Sequence, residues 1–254
     1  MRSYLAFTKK EIREQWKNYK AIILGIVFVI FGIMNPLIAK ITPMLLENYA
    51  VQGIKLEIPD PVAMDSWMQF YKNIGQIGLI VVIILFSGVL TNEIQSGTLI
   101  PLVTKGLPRP AVIWSKFTMV SLYWSAAYFM SYGITYGYTA YFWDMKVVKH
   151  VFLGAFFLWL FGEMLLSIQL FFSTICKSGM MALLGTGSVI VLMFVIGIVP
   201  KAKCYLPLVL NGSNTDLLNG TVSLSDFYWP AAIAVLIIVV SMSLATILFN
   251  RRNL

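Results

Sequence analysis

Residues 93–116 read EIQSGTLIPLVTKGLPRPAVIWSK; this stretch follows the apolar run 74–90 and leads into the apolar run 111–142. Of the 254 residues in the chain, 59% are hydrophobic and 12% are charged, and the mean hydropathy is +0.80. This composition lies outside the range of soluble globular domains. The sequence therefore predicts a membrane protein in which segment 93–116 is a polar connection between two membrane spans.

Six apolar runs approach or exceed the length of about 20 residues that a helix needs to cross the hydrocarbon core. They are 21–39, 74–90, 111–142, 151–175, 179–199 and 229–249. The first run is long, lies well inside the chain and is not followed by a small-residue cleavage site, so we interpret it as a retained span rather than a signal peptide. We expect an all-α integral membrane protein, with residues 1–254 forming one transmembrane domain of six helices.

The positions of Lys and Arg predict the orientation of these spans. If the amino terminus is inside, 12 of the 19 basic residues fall on inner segments and 7 on outer ones, and cytoplasmic loops carry the excess of basic residues. Both termini and segment 93–116 are then cytoplasmic, and loops 40–73 and 200–228 are extracellular. The net charge of +8 reflects this bias and an attraction to anionic lipid, so nucleic acid is not an expected partner.

Local signals within segment 93–116 predict a short helix. Thr98 is a suitable N-cap, and Pro101 then falls in the first turn, where it removes no intrahelical hydrogen bond. Gly106 is typical of the left-handed residue that ends a helix, and Pro108 prevents its continuation. We expect about two turns of helix, from Leu99 to Lys105.

The predicted helix has an apolar face formed by Leu99, Leu102 and Val103. A helix of this length is marginal alone in water and needs a surface to pack against. The spacing alone leaves two interpretations open, an ordered loop lying on the membrane and an element that docks into a partner.

A family pattern adds to this interpretation. Residues Glu93, Gly97-Thr98-Leu99, Pro108-Arg109 and Lys116 resemble the Glu...Gly-Thr-Leu...Pro...Arg...Lys pattern of the membrane-spanning subunits of type-2 ABC transporters. In that family, the loop between the second and third spans carries a coupling helix that sits in a cleft of the ATPase subunit. The turn between Leu170 and Ser178 and the closing residues 249–253 are similar to the family as well, although Asn253 stands where the family has an acid.

The resemblance implies a permease subunit of an ATP-driven exporter in a bacterial cell membrane. Six spans and one coupling loop amount to half a transporter, so the implied partners are two ABC ATPase subunits, a second copy of this chain or a related permease, and membrane lipid. The residues implied to couple the spans to the ATPase are Glu93, Gly97, Thr98, Leu99, Leu102, Val103, Lys105 and Arg109.

The transported substrate is less well indicated. The short six-span form resembles exporters of amphipathic or antimicrobial peptides, including phenol-soluble modulin exporters, and also subunits linked to drugs, sodium or polysaccharide. We favour a hydrophobic or amphipathic substrate, a peptide in the first place, which would connect the chain to antimicrobial resistance. The small residues Gly185, Gly187 and Ser188 fit a subunit interface and internal helix packing equally well.

Catalytic chemistry is not expected of this chain. It contains no Gly-x-x-x-x-Gly-Lys-Ser/Thr phosphate-binding loop, so ATP and Mg²⁺ are expected in the partner ATPase. His150 is the single histidine, so neither a zinc cluster nor a histidine-dependent nucleophile can be assembled. We expect a transport subunit that binds no metal or cofactor and is not itself an enzyme.

Residues 1–20 predict an amphipathic helix at the membrane interface. Their apolar stripe consists of Leu5, Ile12, Trp16, Tyr19 and Ile23. Lys10, Arg13 and Lys17 are expected to point away from it, toward water and lipid headgroups. The resemblance favours a lateral helix that helps to seat the ATPase, with Ile12, Arg13, Trp16 and Lys17 as its candidate residues, whereas a basic tail that only sets topology is the alternative.

Polar residues inside the predicted spans are candidates for a transport path. Glu163 is the only ionisable residue deep within a span, where a charge is costly without a partner. Tyr128, Ser131 and Thr135 recur at helical spacing on one side of the third span. Both features are also explained by helix packing, and a proton-coupled carrier or passive channel that uses Glu163 is the alternative to the exporter.

Overall fold

The computed structural model describes residues 2–49 and 60–252, with side chains from residues 4–43 and 60–252. These residues form helices and connecting turns without a β-strand. Part of the predicted loop 40–73 and the tail residue Asn253 lie outside the described residues. The fold is all-α, as the apolar runs predicted.

The described residues up to Phe142 form seven α-helices and one π-helix. They are α1 (Arg2–Lys17), α2 (Lys20–Tyr49), α3 (Ala63–Lys72), the π-helix Asn73–Gly78, α4 (Leu79–Phe86), α5 (Thr91–Gln95), α6 (Ile100–Thr104) and α7 (Arg109–Phe142). Helix α2 pairs with α7 over much of its length, and α1 lies against α7 near the start of that helix. Segment 93–116 therefore connects the rod formed by α3 and α4 to α7.

The second half contains three long helices, of which α8 is largely buried, whereas α13 and α9 are mostly exposed. Its elements are the 3₁₀ helix Met145–Val147, α8 (Val151–Ile175), α9 (Gly179–Ile196), α10 (Pro200–Lys203), α11 (Val209–Gly212), α12 (Asn214–Asn219) and α13 (Ser225–Arg251). Helix α8 lies at the centre, because α7, α9, α11, α12 and α13 all pack against it. Its residues from Phe161 to Leu170 are buried without interruption.

Five helical stretches in the described part of the chain are long and apolar enough to cross a membrane. They are Lys20–Pro43, Ala63–Gln95, Val151–Ile175, Gly179–Ile196 and Ser225–Arg251. The predicted third span forms the 34-residue helix α7, which is less apolar than the five because tyrosines and serines interrupt it. The chain is thus an all-α multi-pass membrane protein, and the count of six spans with both ends inside stays a prediction.

Two of the expected helix limits were wrong. The first helix does not end at residue 39, because α2 continues to Tyr49 with Pro36 and Pro43 inside it. The second span does not begin at residue 74, because α3 extends it back to Ala63, and Trp67 and Phe70 of α3 are fully buried. Polar residues of α3, such as Asp65 and Gln69, lower the mean hydropathy of this stretch. The apolar positions, which recur at helical spacing and face the core, were therefore not recognised as part of a span.

Candidate functional site

Segment 93–116 folds into two short helices joined by a tight turn. Gly97 takes a left-handed conformation (φ +67°) between α5 and α6, and Gly106 takes another (φ +93°) where α6 ends. Pro101 lies in the first turn of α6, and Pro108 precedes the first residue of α7. The predicted helix, its terminating glycine and its proline stop are confirmed, although α6 runs only from Ile100 to Thr104.

The predicted cap was wrong. Leu99 occupies the N-cap position of α6, and no side chain caps this helix. The Thr98 hydroxyl instead donates a hydrogen bond to the Glu93 carbonyl oxygen (3.3 Å), so it closes the turn back onto α5. The left-handed Gly97 directs the Thr98 side chain toward α5, which the sequence spacing did not reveal.

Leu99, one of the three residues of the predicted apolar face, does not lie on the exposed surface of α6. Leu99 is fully buried within the chain, in a small cluster with Phe7 of α1, Ile113 of α7 and Phe249 of α13. Leu102 and Val103 are half-buried. The residues of α6 that face outward are Ile100, Pro101 and Thr104, and Lys105 follows them at the end of the helix. The exposed surface of α6 is therefore rotated relative to the predicted one.

A groove of about 340 Å³ runs between α1 and the end of α6. Phe7 and Leu102 form its apolar floor, and Lys10 and Lys105 stand on its two sides. A groove with apolar and basic lining residues suits a partner segment that presents an apolar side chain next to an acidic one.

Glu93 and Lys116, both part of the family pattern, belong to one charged cluster with α1. Lys116 Nζ lies 2.6 Å from Glu93 Oε2 and 3.0 Å from Glu11 Oε2, and it also donates to the Val89 carbonyl oxygen at 3.0 Å. The side chains of Lys116 and Glu11 are fully buried. A buried charge of this kind requires its partners, because it has lost its hydration. The cluster therefore fixes segment 93–116 to α1 and α7.

Lys10 joins this cluster from the exposed side. Its ammonium lies 2.9 Å from Glu93 Oε1 and 2.7 Å from Glu14 Oε2. Partial burial favours the neutral amine, but the hydrogen bonds to Glu14 and Glu93 and the charge of Glu11 outweigh it and hold the pKa of the Lys10 ammonium above its ordinary value. Lys10 is exposed, as expected, but its ammonium also pairs with carboxylates of α1 and α5, which the sequence spacing did not indicate.

The three acids of this cluster place carboxylate oxygens within 4.8 Å of one another. These acids, Glu11, Glu14 and Glu93, could in principle hold a cation. The ammonium groups of Lys10 and Lys116 already lie among them and supply the positive charge. The cluster is an ion-pair network between helices.

Arg109, which the family pattern implies to be a coupling residue, contacts the carboxyl end of α13 within the chain. Its guanidinium donates hydrogen bonds to the carbonyl oxygens of Phe249, Asn250 and Arg252, at 3.3, 2.8 and 2.7 Å. Arg252 in turn donates to the Thr174 carbonyl oxygen at 2.6 Å, near the end of α8. Carbonyl groups at helix ends lack intrahelical donors, and cations are favoured there. The two arginines therefore tie the ends of α13 and α8 to the start of α7.

Helix α1 has two distinct faces. Phe7, Glu11 and Gln15 are buried against the bundle, whereas Leu5 and Trp16 are 63% and 60% exposed, and Tyr19, in the turn that follows α1, is 67% exposed. The exposed aromatic side chains suit the headgroup boundary. Among the candidate residues of α1, Arg13 and Lys17 are exposed as expected, and Ile12 is half-buried. The sequence reasoning missed Glu11, although its position four residues after Phe7 and four before Gln15 marks the face opposite the lipid.

Glu163 lies in α8 and is 4% exposed. One of its oxygens, Oε1, accepts hydrogen bonds from the hydroxyls of Ser121 (2.7 Å) and Ser125 (3.3 Å), both on α7. The Ser125 oxygen accepts a further hydrogen bond from the indole nitrogen of Trp159 at 2.9 Å. These contacts connect α7 to α8 and supply the partners that a buried acid requires.

The polar side of the predicted third span faces other helices of the chain. The Tyr128 hydroxyl donates to the Ala155 carbonyl oxygen at 2.7 Å, and Thr135 donates to the Gly32 carbonyl oxygen at 3.2 Å. Ser131 is fully buried between them. All three are interior side chains, which agrees with the helix-packing interpretation.

The small residues of α9 divide between two surfaces. A Cβ atom on Gly185 would lie 2.6 Å from a ring carbon of Phe172, so this glycine allows α9 to pack closely on α8. A Cβ on Gly187 would have no neighbour within 4 Å among the described residues, and Ser188 is exposed. The described residues thus leave most of the apolar surface of α9 uncovered.

Long apolar helices joined by interhelical polar contacts, with a charged cluster at one end, define an all-α integral membrane protein. The sequence model of the ABC-2 family transporter protein matches residues 5–254. The chain therefore belongs to the ABC-2 family and is a membrane component of an ABC-type transporter. It is also similar to the uncharacterized transmembrane protein YxlG of Bacillus subtilis (strain 168), with 24% identity over 239 residues that cover 89% of this chain and 92% of the relative.

Proposed function

We propose that this chain is the permease subunit of an ATP-driven exporter and that segment 93–116 receives the motion of a separate ATPase. Membership of the ABC-2 family implies an ATPase partner in general. The proposal places that partner on the exposed surface of α6, around Ile100, and on the adjacent groove that Lys10 and Lys105 flank. ATP and Mg²⁺ would be bound by the ATPase.

The observation that carries this proposal is the buried cluster of Glu93, Lys116 and Glu11. It joins the proposed docking segment to α7 through Lys116 and to α1 through Glu11, over distances of 2.6 and 3.0 Å. A force applied to α6 would therefore move α1 and α7 with it instead of deforming a flexible loop. Rigid-body movement of this unit against the rest of the bundle would change access between the two sides of the membrane.

Two permease chains and two ATPases would complete the transporter. The uncovered apolar surface of α9, on the side of Gly187 and Ser188, supports a contact with a second copy or a related permease. We infer outward transport of a hydrophobic or amphipathic substrate, with an amphipathic peptide as the first class to test, and a role in resistance to such peptides.

The proposal is tested by site-specific photocrosslinking. The chain is expressed with a candidate ABC ATPase from the same genome, and a photoreactive residue replaces Ile100 in one variant and Trp229 in another. Ile100 lies on the exposed surface of α6, whereas Trp229 is an exposed residue near the start of α13 and serves as the matched control. We expect a crosslink to the ATPase from position 100 alone. Equal crosslinking from both positions, or none, would contradict the assignment.

A further inference from the structure

An apolar groove of about 630 Å³ lies between α2 and α7 and ends at the last turn of α1. Its floor is made of buried or small residues, and its rim is made of exposed apolar side chains. The floor includes Ala21, Leu24, Gly25 and Ala127, and the rim includes Ile26, Ile30 and Met130. None of the described residues that line the groove is charged. Because α2 is apolar enough to cross a membrane, the groove opens toward hydrocarbon.

The groove exists because α2 and α7 separate toward α1. A Cβ atom on Gly25 would have no neighbour within 4 Å among the described residues, whereas a Cβ on Gly32, two turns farther along α2, would lie 3.0 Å from Ile134 Cβ of α7. From Ile22 to Ile30, the groove follows α2 for about 12 Å. One leaflet of the hydrocarbon core is about 15 Å deep. The groove therefore has the length of an acyl chain within one leaflet.

The last turn of α1 places one end of the groove at the membrane surface. Trp16 lines this end, and the hydroxyl of Tyr123, which also lines the groove, donates a hydrogen bond to the Ile12 carbonyl oxygen at 2.8 Å. The Trp16 side chain is largely exposed, and tryptophan is enriched at the boundary between hydrocarbon and headgroups. The groove thus runs from the level of the headgroups into the hydrocarbon.

Two basic residues of α1 lie at this end of the groove. Arg13 is three positions before Trp16 and four before Lys17, and residues so spaced are neighbours on a helix surface. Both basic side chains are exposed, and neither pairs with a carboxylate in the part of the chain that the structure describes. The adjacent acid, Glu14, already has the Lys10 ammonium 2.7 Å away. Basic residues at this level attract anionic headgroups.

We propose that this groove binds one anionic phospholipid of the surrounding bilayer, with an acyl chain between α2 and α7 and the phosphate group beside Arg13 and Lys17. The apolar lining and the length of the groove fit the acyl chain, and the two unpaired cations fit an anionic headgroup. The inference depends on the membrane setting of the chain and not on the substrate or the ATPase proposed above.

Photocrosslinking to lipid tests this site. The chain is reconstituted in phosphatidylcholine nanodiscs that contain a trace of phosphatidylglycerol with a diazirine in one acyl chain, and photoreactive phosphatidylcholine is the comparison probe. Peptide mass spectrometry compares the labelling of residues 21–30 with that of Leu236 and Val239 on the exposed surface of α13, which report ordinary boundary lipid. We expect this labelling ratio to be several-fold higher with phosphatidylglycerol than with phosphatidylcholine.

A first variant fills the groove. Gly25→Leu adds a side chain where the described residues leave open space, so the protein should fold and the labelling of the groove by both probes should fall several-fold. Gly137→Leu is the matched control. It also adds a side chain to open space, on α7, at a position that does not line the groove, and it should be labelled as the wild type is.

A second variant removes the charge. Arg13→Gln/Lys17→Gln should reduce the preference for phosphatidylglycerol several-fold and should leave the labelling by phosphatidylcholine unchanged. Lys146→Gln/Lys149→Gln removes the same charge from exposed residues beyond the other end of α7 and should keep the preference.

Each part of the proposal can fail separately. Equal labelling ratios for the two probes in the wild type would show boundary lipid only and would overturn the site. Groove labelling that persists in Gly25→Leu would overturn the position of the acyl chain, and a preference that persists in Arg13→Gln/Lys17→Gln would overturn the position of the headgroup. If a photoreactive residue in place of Ile26 crosslinked two copies of the chain and not lipid, the groove would be a subunit contact and the lipid assignment would be wrong.

Discussion

Glu93 and Lys116 are the first and last residues of segment 93–116, 23 positions apart in the sequence. Glu93 Oε2 nevertheless lies 2.6 Å from Lys116 Nζ. Lys116 is fully buried and also contacts Glu11 of α1. The first and last residues of the family pattern are therefore partners in one contact. This contact makes a single unit of α1, segment 93–116 and the start of α7.

Removal of Lys116 should destabilise this unit strongly. Lys116→Met removes the buried partner of the Glu11 carboxylate and leaves it only the partly exposed Lys10 ammonium at 3.2 Å. We expect a loss of about 3–5 kcal/mol, because buried charges that lose a buried partner are costly. Lys10→Met removes the partly exposed member of the same cluster and should cost less than about 1 kcal/mol. The thermal unfolding of both variants in detergent measures the difference. Equal unfolding temperatures for the two would contradict the assigned role of Lys116.

Leu99 and Ile100 should respond in opposite ways although they are neighbours. Leu99→Ala creates a cavity in the cluster around Phe7 and Phe249 and should cost about 2–5 kcal/mol of stability. Ile100→Ser changes an exposed residue and should leave the free energy of unfolding unchanged within about 0.5 kcal/mol. In vesicles that also contain the ATPase, we expect this variant to hydrolyse ATP but to lose transport. If Ile100→Ser transported normally, the exposed surface of α6 would not be the docking surface.

Arg109 should stabilise the end of α13 through one guanidinium nitrogen, Nη1, which donates to all three carbonyl oxygens. Arg109→Lys retains the charge, but the shorter lysine side chain does not place its nitrogen at the position of Nη1, so we expect a loss of about 1–2 kcal/mol. Arg251 is exposed, and Arg251→Lys is the matched control. Hydrogen exchange in residues 245–252 reports the effect locally. Unchanged protection in Arg109→Lys would show that the three hydrogen bonds do not stabilise this helix end.

Glu163 should act as an interhelical acceptor in the exporter we propose. Glu163→Gln keeps an oxygen for the hydroxyls of Ser121 and Ser125, so folding and ATP-driven transport should be retained. Glu163→Leu removes that acceptor and should destabilise the protein by about 1–3 kcal/mol. Transport assays with and without a proton gradient separate the alternatives, because a proton-coupled carrier would lose transport in Glu163→Gln.

The class of protein and most of the long helices could be predicted from the sequence. A continuous apolar run indicates a membrane span by its own length and hydropathy. Gly106 and Pro108 indicate a helix end because their backbone preferences are local and do not depend on distant contacts. The limits of the second span were missed, because the polar residues around Trp67 reduce the hydropathy of a helix that packs by its aromatic face.

The site was predicted in its location but not in its internal arrangement. Segment 93–116 was identified, yet the directions of Leu99, Lys10 and Arg109 depend on contacts with α1 and α13, which are distant in sequence. A helical spacing cannot show which side of a short helix its own chain will cover. For the same reason Glu11 was not singled out, since its partner Lys116 lies 105 residues away.

Thiol labelling at position 100 tests the central claim most directly. In a variant in which Cys176 and Cys204 are replaced by Ser, Ile100→Cys provides one reactive thiol on the exposed surface of α6. A membrane-impermeant maleimide should label it in inside-out vesicles and not in right-side-out vesicles, and the bound ATPase should protect it. Labelling from the outside, or labelling that the ATPase does not reduce, would contradict the account.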